Sequence, residues 1–90
     1  MTAVAYQLVL HPRAQRELDR VPHHDVERVD AAVLALRQTP RPMGVQKLEG
    51  ELHRIRVGDW RVIFAVKDSS RQVVVLRVTR RSEKTYKRLF

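Results

Sequence analysis

Two residues, Gly58 and Asp59, constrain this chain more than any other pair. They separate Leu52–Val57 from Trp60–Val66, two runs with the period-2 patterning of strands. A two-residue loop that begins with glycine suits a type II′ hairpin turn, whose twist matches that of the strands it joins. So short a loop also fixes the register. Val57 faces Trp60, Ile55 faces Val62 and His53 faces Phe64, and these six side chains share one apolar face. Arg56 then faces Arg61, and Arg54 faces Ile63, on the other face. A slip of one residue would bury the arginines, so this register is strongly specified.

Like charges placed directly opposite one another on a sheet are destabilising, by up to about 1 kcal/mol. A chain that keeps Arg56 opposite Arg61 therefore points to an anion that sits between them. The next strand candidate, Val73–Thr79, extends the pattern. Val74, Leu76 and Val78 are expected on one side, and Arg77, Thr79 and Arg81 on the other. Arg54, Arg56, Arg61 and Arg81 then line one open sheet face, with Tyr86 at its edge. A single arginine on a solvated face is ordinary. The charge distribution adds weight to the pair. The formal net charge is +8, yet residues 1–51 hold seven Lys/Arg and seven Asp/Glu. Residues 52–90 hold eleven Lys/Arg, eight of them arginine, against Asp59, Asp68 and Glu83. Such one-ended charge attracts a polyanion, and the planar fork of arginine suits phosphate. Arg77, Arg80 and Lys84 join the residues expected to bind a nucleic acid, although Arg77 and Arg80 also read as solubilising. Tyr86 either pins the last helix with Leu89 and Phe90 or presents its ring or hydroxyl to RNA.

The N-terminal half reads differently. Ala3–Leu10 is a short strand candidate. His11-Pro12 then opens a helix, because the N–H that proline lacks is unsatisfied at a first helical position anyway. Ala14, Leu18 and Val21 form its buried stripe, and Val21-Pro22 ends it. A second helix is expected from about His24 to Gln38, with Val26, Val29, Val33 and Leu36 on one face. Thr39–Gly44 makes a stiff connector, and a last helix is expected from Ser82 to about Leu89. The expected class is α+β, with a single domain over 1–90. It has an N-terminal strand, an αα-hairpin packed on one face of an antiparallel sheet and a short C-terminal helix. The absence of cysteine suits a reducing compartment, and no leader or membrane span is read, so a cytoplasmic location is expected. There is no metal-ligand spacing, no glycine-rich phosphate loop and no nucleophile elbow, so no metal or cofactor is expected. His53 falls on the apolar face as a core or edge histidine, and Trp60 and Phe64 fall there as packing residues.

The segment Lys47–Gly50 followed by Leu52–Phe64 resembles the signature hairpin of the RelE/ParE toxin superfamily. Ala14-x-x-Glu17-Leu18 and Arg80-Arg81 with Tyr86 fit as well, so the likeness spans nearly the whole chain in order. The resemblance implies a RelE-like fold and a toxin of a toxin–antitoxin pair. RelE members are ribosome-dependent endoribonucleases that cut messenger RNA, inhibit translation and are neutralised by a small antitoxin. ParE members share the fold, target DNA gyrase and lack the catalytic set. Arg54, Arg56, Arg61, Arg81 and Tyr86 fall on the nuclease positions, which implies that they are catalytic and favours a metal-independent mRNA interferase. It also implies an acidic, helical RelB-like antitoxin, the ribosome and mRNA as partners. Relatives often carry lysine where this chain has Arg54 and Arg56. Arginine does not give up its proton, so no proton-transfer role is carried over to these two. The competing readings are a gyrase inhibitor and a non-catalytic nucleic-acid-binding module.

Overall fold

The computed structural model describes residues 5–80. The helix expected over 82–89 lies outside the described residues, as do Arg81, Lys84 and Tyr86. The chain runs β1 (Gln7–Leu10), α1 (Pro12–Asp19), α2 (His23–Ala35), β2 (Gln46–Glu49), β3 (Leu52–Val57), β4 (Trp60–Lys67) and β5 (Gln72–Arg80).

Each helix boundary has a local cause. The imidazole Nδ1 of His11 accepts the Arg13 N–H at 3.1 Å, which caps α1, and Pro12 takes its first position. Pro22 stands at the N-cap of α2, and Asp25 puts a negative charge in its first turn, near the positive end of the helix dipole. α2 ends at Ala35, short of the expected Gln38. The N–H groups of Leu36 and Arg37 bond three residues back, to Val33 and Leu34, so the last turn tightens out of the α form.

The five strands form one sheet in the order β1-β5-β4-β3-β2. From β2 to β5 the neighbours are antiparallel, but β1 pairs parallel with β5, from Gln7↔Gln72 to Leu10↔Val75. The sheet is therefore mixed, where an antiparallel one was expected. A parallel pair has no connecting turn to announce it. β2 is a further strand that the sequence reading left out, because only Leu48 within it is even half-buried.

The β3–β4 hairpin has the register that its loop dictates: Val57↔Trp60, Arg56↔Arg61, Ile55↔Val62, Arg54↔Ile63 and His53↔Phe64. Gly58 has φ +60°, and a Cβ there would come 2.8 Å from Nη2 of Arg28, which lies over the turn from α2. The backbone conformation calls for glycine, whereas the approaching group is the far end of a flexible, exposed side chain that can move aside. The core fills the helix side of the sheet. Ile55, Val57, Trp60, Val62, Phe64 and Val66 of the hairpin meet Val73, Val75 and Val78 of β5, and Ala14, Leu18, Val29, Val33 and Leu36 from the helical segment cover them.

β5 departs from the expected alternation. Its pairing with β4 passes from Phe64↔Val75 to Ile63↔Arg77 and leaves Leu76 as an extra residue. One extra residue shifts the phase of every later side chain. Val73 and Val75 are consequently buried with Val78, while Val74 and Leu76, expected beside Val78, are only half-buried. Among the described residues no helix is long and apolar enough to cross a membrane.

A candidate nucleic-acid interface on the hairpin

β3, β4 and β5 together carry Arg54, Arg56, Arg61, Lys67, Arg77 and Arg80 and no Asp or Glu. The register sorts these cations into different settings. Arg56 is exposed and stands directly across from the half-buried Arg61. Arg54 lies two residues before Arg56, so it projects on the same face. It is only 7% exposed, and its Nη2 donates to Oε1 of Gln46, its register partner on β2. A groove of about 460 Å³ opens between the connector and β3, and its wall includes Met43, Gly44, Gln46, Arg54 and Arg56. The structure thus brings Arg54, Arg56 and Arg61 together.

Two of the expected RNA-binding residues are placed elsewhere. Arg77 is 7% exposed and is held by Glu17 of α1, with Nε donating at 3.0 Å and Nη2 at 2.8 Å to Oε2. The other carboxylate oxygen accepts the Val78 N–H at 2.8 Å, just past the end of the β1–β5 pairing. A bidentate ion pair that also satisfies a backbone donor is a structural clamp. Arg77, expected among the RNA-binding residues, is thus committed to Glu17 in this structure. Its partner lies sixty positions away in the chain, and no local pattern announces it. Arg80 is in register with Trp60, whose ring packs on the helix side of the sheet. Its guanidinium carbon sits 4.7 Å from the ring centroid, a cation–π contact. Arg80 thus stands apart from the Arg56–Arg61 pair. Arg81, Lys84 and Tyr86, the remaining expected site residues, lie outside the described residues.

The neighbours of the hairpin are settled by ordinary packing. The Trp60 Nε1–H donates to Asp25 at 3.0 Å, and that bond, aided by His24 and Arg28, holds the Asp25 carboxyl below the usual carboxylate range. His53 is buried, stacks on Phe64 at 5.7 Å between centroids, and directs Nδ1 at the Glu51 carbonyl oxygen at 2.7 Å. At the end of the sheet away from the Gly58 turn, a depression of about 500 Å³ is bordered by Arg41, Lys47, Glu51, His53 and Asp68. There the charges answer one another. Arg41 donates to Asp68 at 2.8 Å, Lys67 to Glu51 at 2.9 Å, and the Tyr6 hydroxyl to Asp68 at 2.7 Å. Arg41 and Tyr6 together lower the Asp68 carboxyl to about 2. Among the described residues no three of His, Asp and Glu gather closely enough to hold a metal ion.

Comparison with known proteins places this geometry in a family. Residues 8–85 match the family of ParE toxins of type II toxin–antitoxin systems. The chain is 33% identical over 85 residues to Toxin RelE of Mycobacterium tuberculosis, covering 86% of this chain and 82% of that protein. Its fold is similar to that in the crystal structure of an archaeal RelE–RelB complex from Pyrococcus horikoshii. The TM-score there is 0.79 at 28% identity, covering 88% of this chain and 98% of the other. The isolated RelE toxin of E. coli shares the fold at a TM-score of 0.76 and 22% identity, covering 94% and 95% of the two chains.

Proposed function

This chain belongs to the RelE/ParE superfamily of type II toxins, and from that premise we propose that it is a ribosome-dependent endoribonuclease that cuts messenger RNA and so stops translation in the cytoplasm. One observation carries the reading: Arg56 and Arg61 oppose each other across strands that contain no acidic residue. The pair sets two guanidinium groups side by side, a geometry suited to holding a phosphate.

The chemistry proposed for the site is attack by a ribose 2′-hydroxyl on its own 3′-phosphate. The 2′-oxygen forms a bond to phosphorus and the 5′-oxygen of the next nucleotide leaves, giving a 2′,3′-cyclic phosphate and a free 5′-hydroxyl. Negative charge on the phosphoryl oxygens grows in the transition state. Fixed guanidinium donors stabilise that charge without having to reorganise. Arg61 and Arg81 are assigned to the scissile phosphate, and Arg54 and Arg56 to orientation and charge stabilisation. Tyr86 is assigned to the site as general base or as a stacking platform for a nucleobase. The ribosome supplies substrate orientation, a contribution worth several kcal/mol in comparable cases, so free RNA is cut poorly.

The RelBE2 toxin–antitoxin complex of Mycobacterium tuberculosis shares this fold. By extension, this chain is held inactive by a small, acidic, helical antitoxin. Opposite charges steer that encounter, so its affinity falls as salt rises, which titration calorimetry measures. The cleavage reading is tested by single-turnover assays on ribosomes programmed with a defined message. A message fragment that ends in a cyclic phosphate is the expected product. The second reading, a gyrase inhibitor of the ParE kind, is favoured by the family model that the chain matches. It predicts loss of supercoiling activity with the message left intact.

A further inference from the structure

The expected site residues do not include Gln46, yet its side chain touches one of them. We propose that Gln46 is a positioning residue that fixes the Arg54 guanidinium at the message-binding groove. The inference rests on the cleavage reading above and deepens it.

Three observations support it. Gln46 and Arg54 are register partners on neighbouring strands, so their side chains rise side by side from one face. The amide oxygen of Gln46 accepts from Arg54 Nη2. Both residues line the groove that also holds Arg56 and the fully exposed Met43. Arg54 is a long side chain that is nevertheless 93% removed from solvent, and an acceptor at its tip selects among its rotamers.

The chemistry of the acceptor matters as much as its place. Arg77, on β5, is held by a carboxylate, and there the two charges cancel. Gln46 holds Arg54 with a neutral amide. It orients the fork through a neutral acceptor and adds no negative charge of its own beside it. A carboxylate at position 46 would orient Arg54 equally well and spend its charge.

The test uses the intact chain in single-turnover cleavage on programmed ribosomes, with thermal melts alongside. Gln46→Met keeps the length of the side chain and removes its amide acceptor. Position 46 is exposed on an edge strand, so the melting temperature is expected to hold. The saturating rate is expected to fall by roughly tenfold to a hundredfold, the scale on which misplacing a reacting group costs. Arg54 keeps its charge in this variant, so the half-saturating concentration is expected to move by less than about twofold. Arg54→Ala loses both charge and contact and is expected to move both quantities. Adding Gln46→Met to Arg54→Ala is expected to change little further, because the glutamine acts through the arginine. A Gln46→Met protein that cleaves within about twofold of wild type overturns the inference. So does a loss of the same size in both backgrounds, or a loss confined to the half-saturating concentration. A wild-type chain that leaves the message intact overturns the cleavage reading itself and the role of Gln46 with it.

Discussion

The β3–β4 hairpin has two faces built from the same residues in the same register, and they obey different rules. On the helix side Val57, Trp60, Ile55, Val62, His53 and Phe64 are all buried, and every polar atom described there has an internal answer: Trp60 in Asp25, His53 in the Glu51 carbonyl. On the other side two like charges, Arg56 and Arg61, stand directly opposite each other. A two-residue turn places both faces at once. Packing therefore specifies the site indirectly: what locks the arginines in opposition is the requirement that their neighbours be buried.

Four changes break or sharpen this comparison. The largest effect is expected from the apolar face. Phe64 is fully buried, and Phe64→Ala is expected to cost about 3–5 kcal/mol through lost transfer energy and the cavity left behind. A urea titration measures it, and both faces fail together because the hairpin is lost. Arg61→Ala separates them. The fold and its melt are expected to persist while single-turnover cleavage falls by roughly a hundredfold to a thousandfold, the loss seen when one transition-state donor is removed. Near-wild-type cleavage by a folded Arg61→Ala protein would remove Arg61 from the site. Gly58→Ala tests the turn that couples the two faces. A side chain at φ +60° is expected to cost about 1–2 kcal/mol in chemical denaturation. The smallest effect is expected far from the hairpin turn. The folded Asp68 carboxyl is lowered to about 2 from an ordinary 3.8, so its stabilising contribution is complete above pH 4 and is lost as pH falls from 4 through 2. Asp68→Asn is expected to flatten the urea midpoint against pH across that window and to leave cleavage by the arginine face unchanged at neutral pH.

How much of this was legible in the sequence depended on whether the cause was local. The hairpin register was, because a two-residue turn leaves one pairing that buries the apolar set. The start of α1 was, because proline suits a first helical position. The parallel pairing of β1 was not, since its partner is more than sixty residues away with no turn to mark it. β2 was missed because Gln46-Lys47-Leu48-Glu49 is polar, as an edge strand tends to be. The single extra residue at Leu76 reversed the sides expected for Val74 and Leu76, and a bulge leaves no signature in alternation alone. Of the site, the opposition of Arg56 and Arg61 could be read from the chain. The diversion of Arg77 to Glu17 and the support of Arg54 by Gln46 could not, because each depends on which elements the tertiary fold makes neighbours.

The placement of β1 has a consequence in time as well as in space. The antiparallel run from β2 to β5 is a meander whose strands are adjacent in sequence, and each can pair as soon as the next is made. β1 is made first and waits longest, since Gln7–Leu10 find their partners only at Gln72–Val75. Non-local pairing of this kind is the slow part of forming a sheet. During vectorial synthesis the sheet therefore stays unfinished until nearly the whole chain has emerged, and an incomplete chain, however far its hairpin has advanced, holds β1 but lacks β5, the strand that joins β1 to the rest.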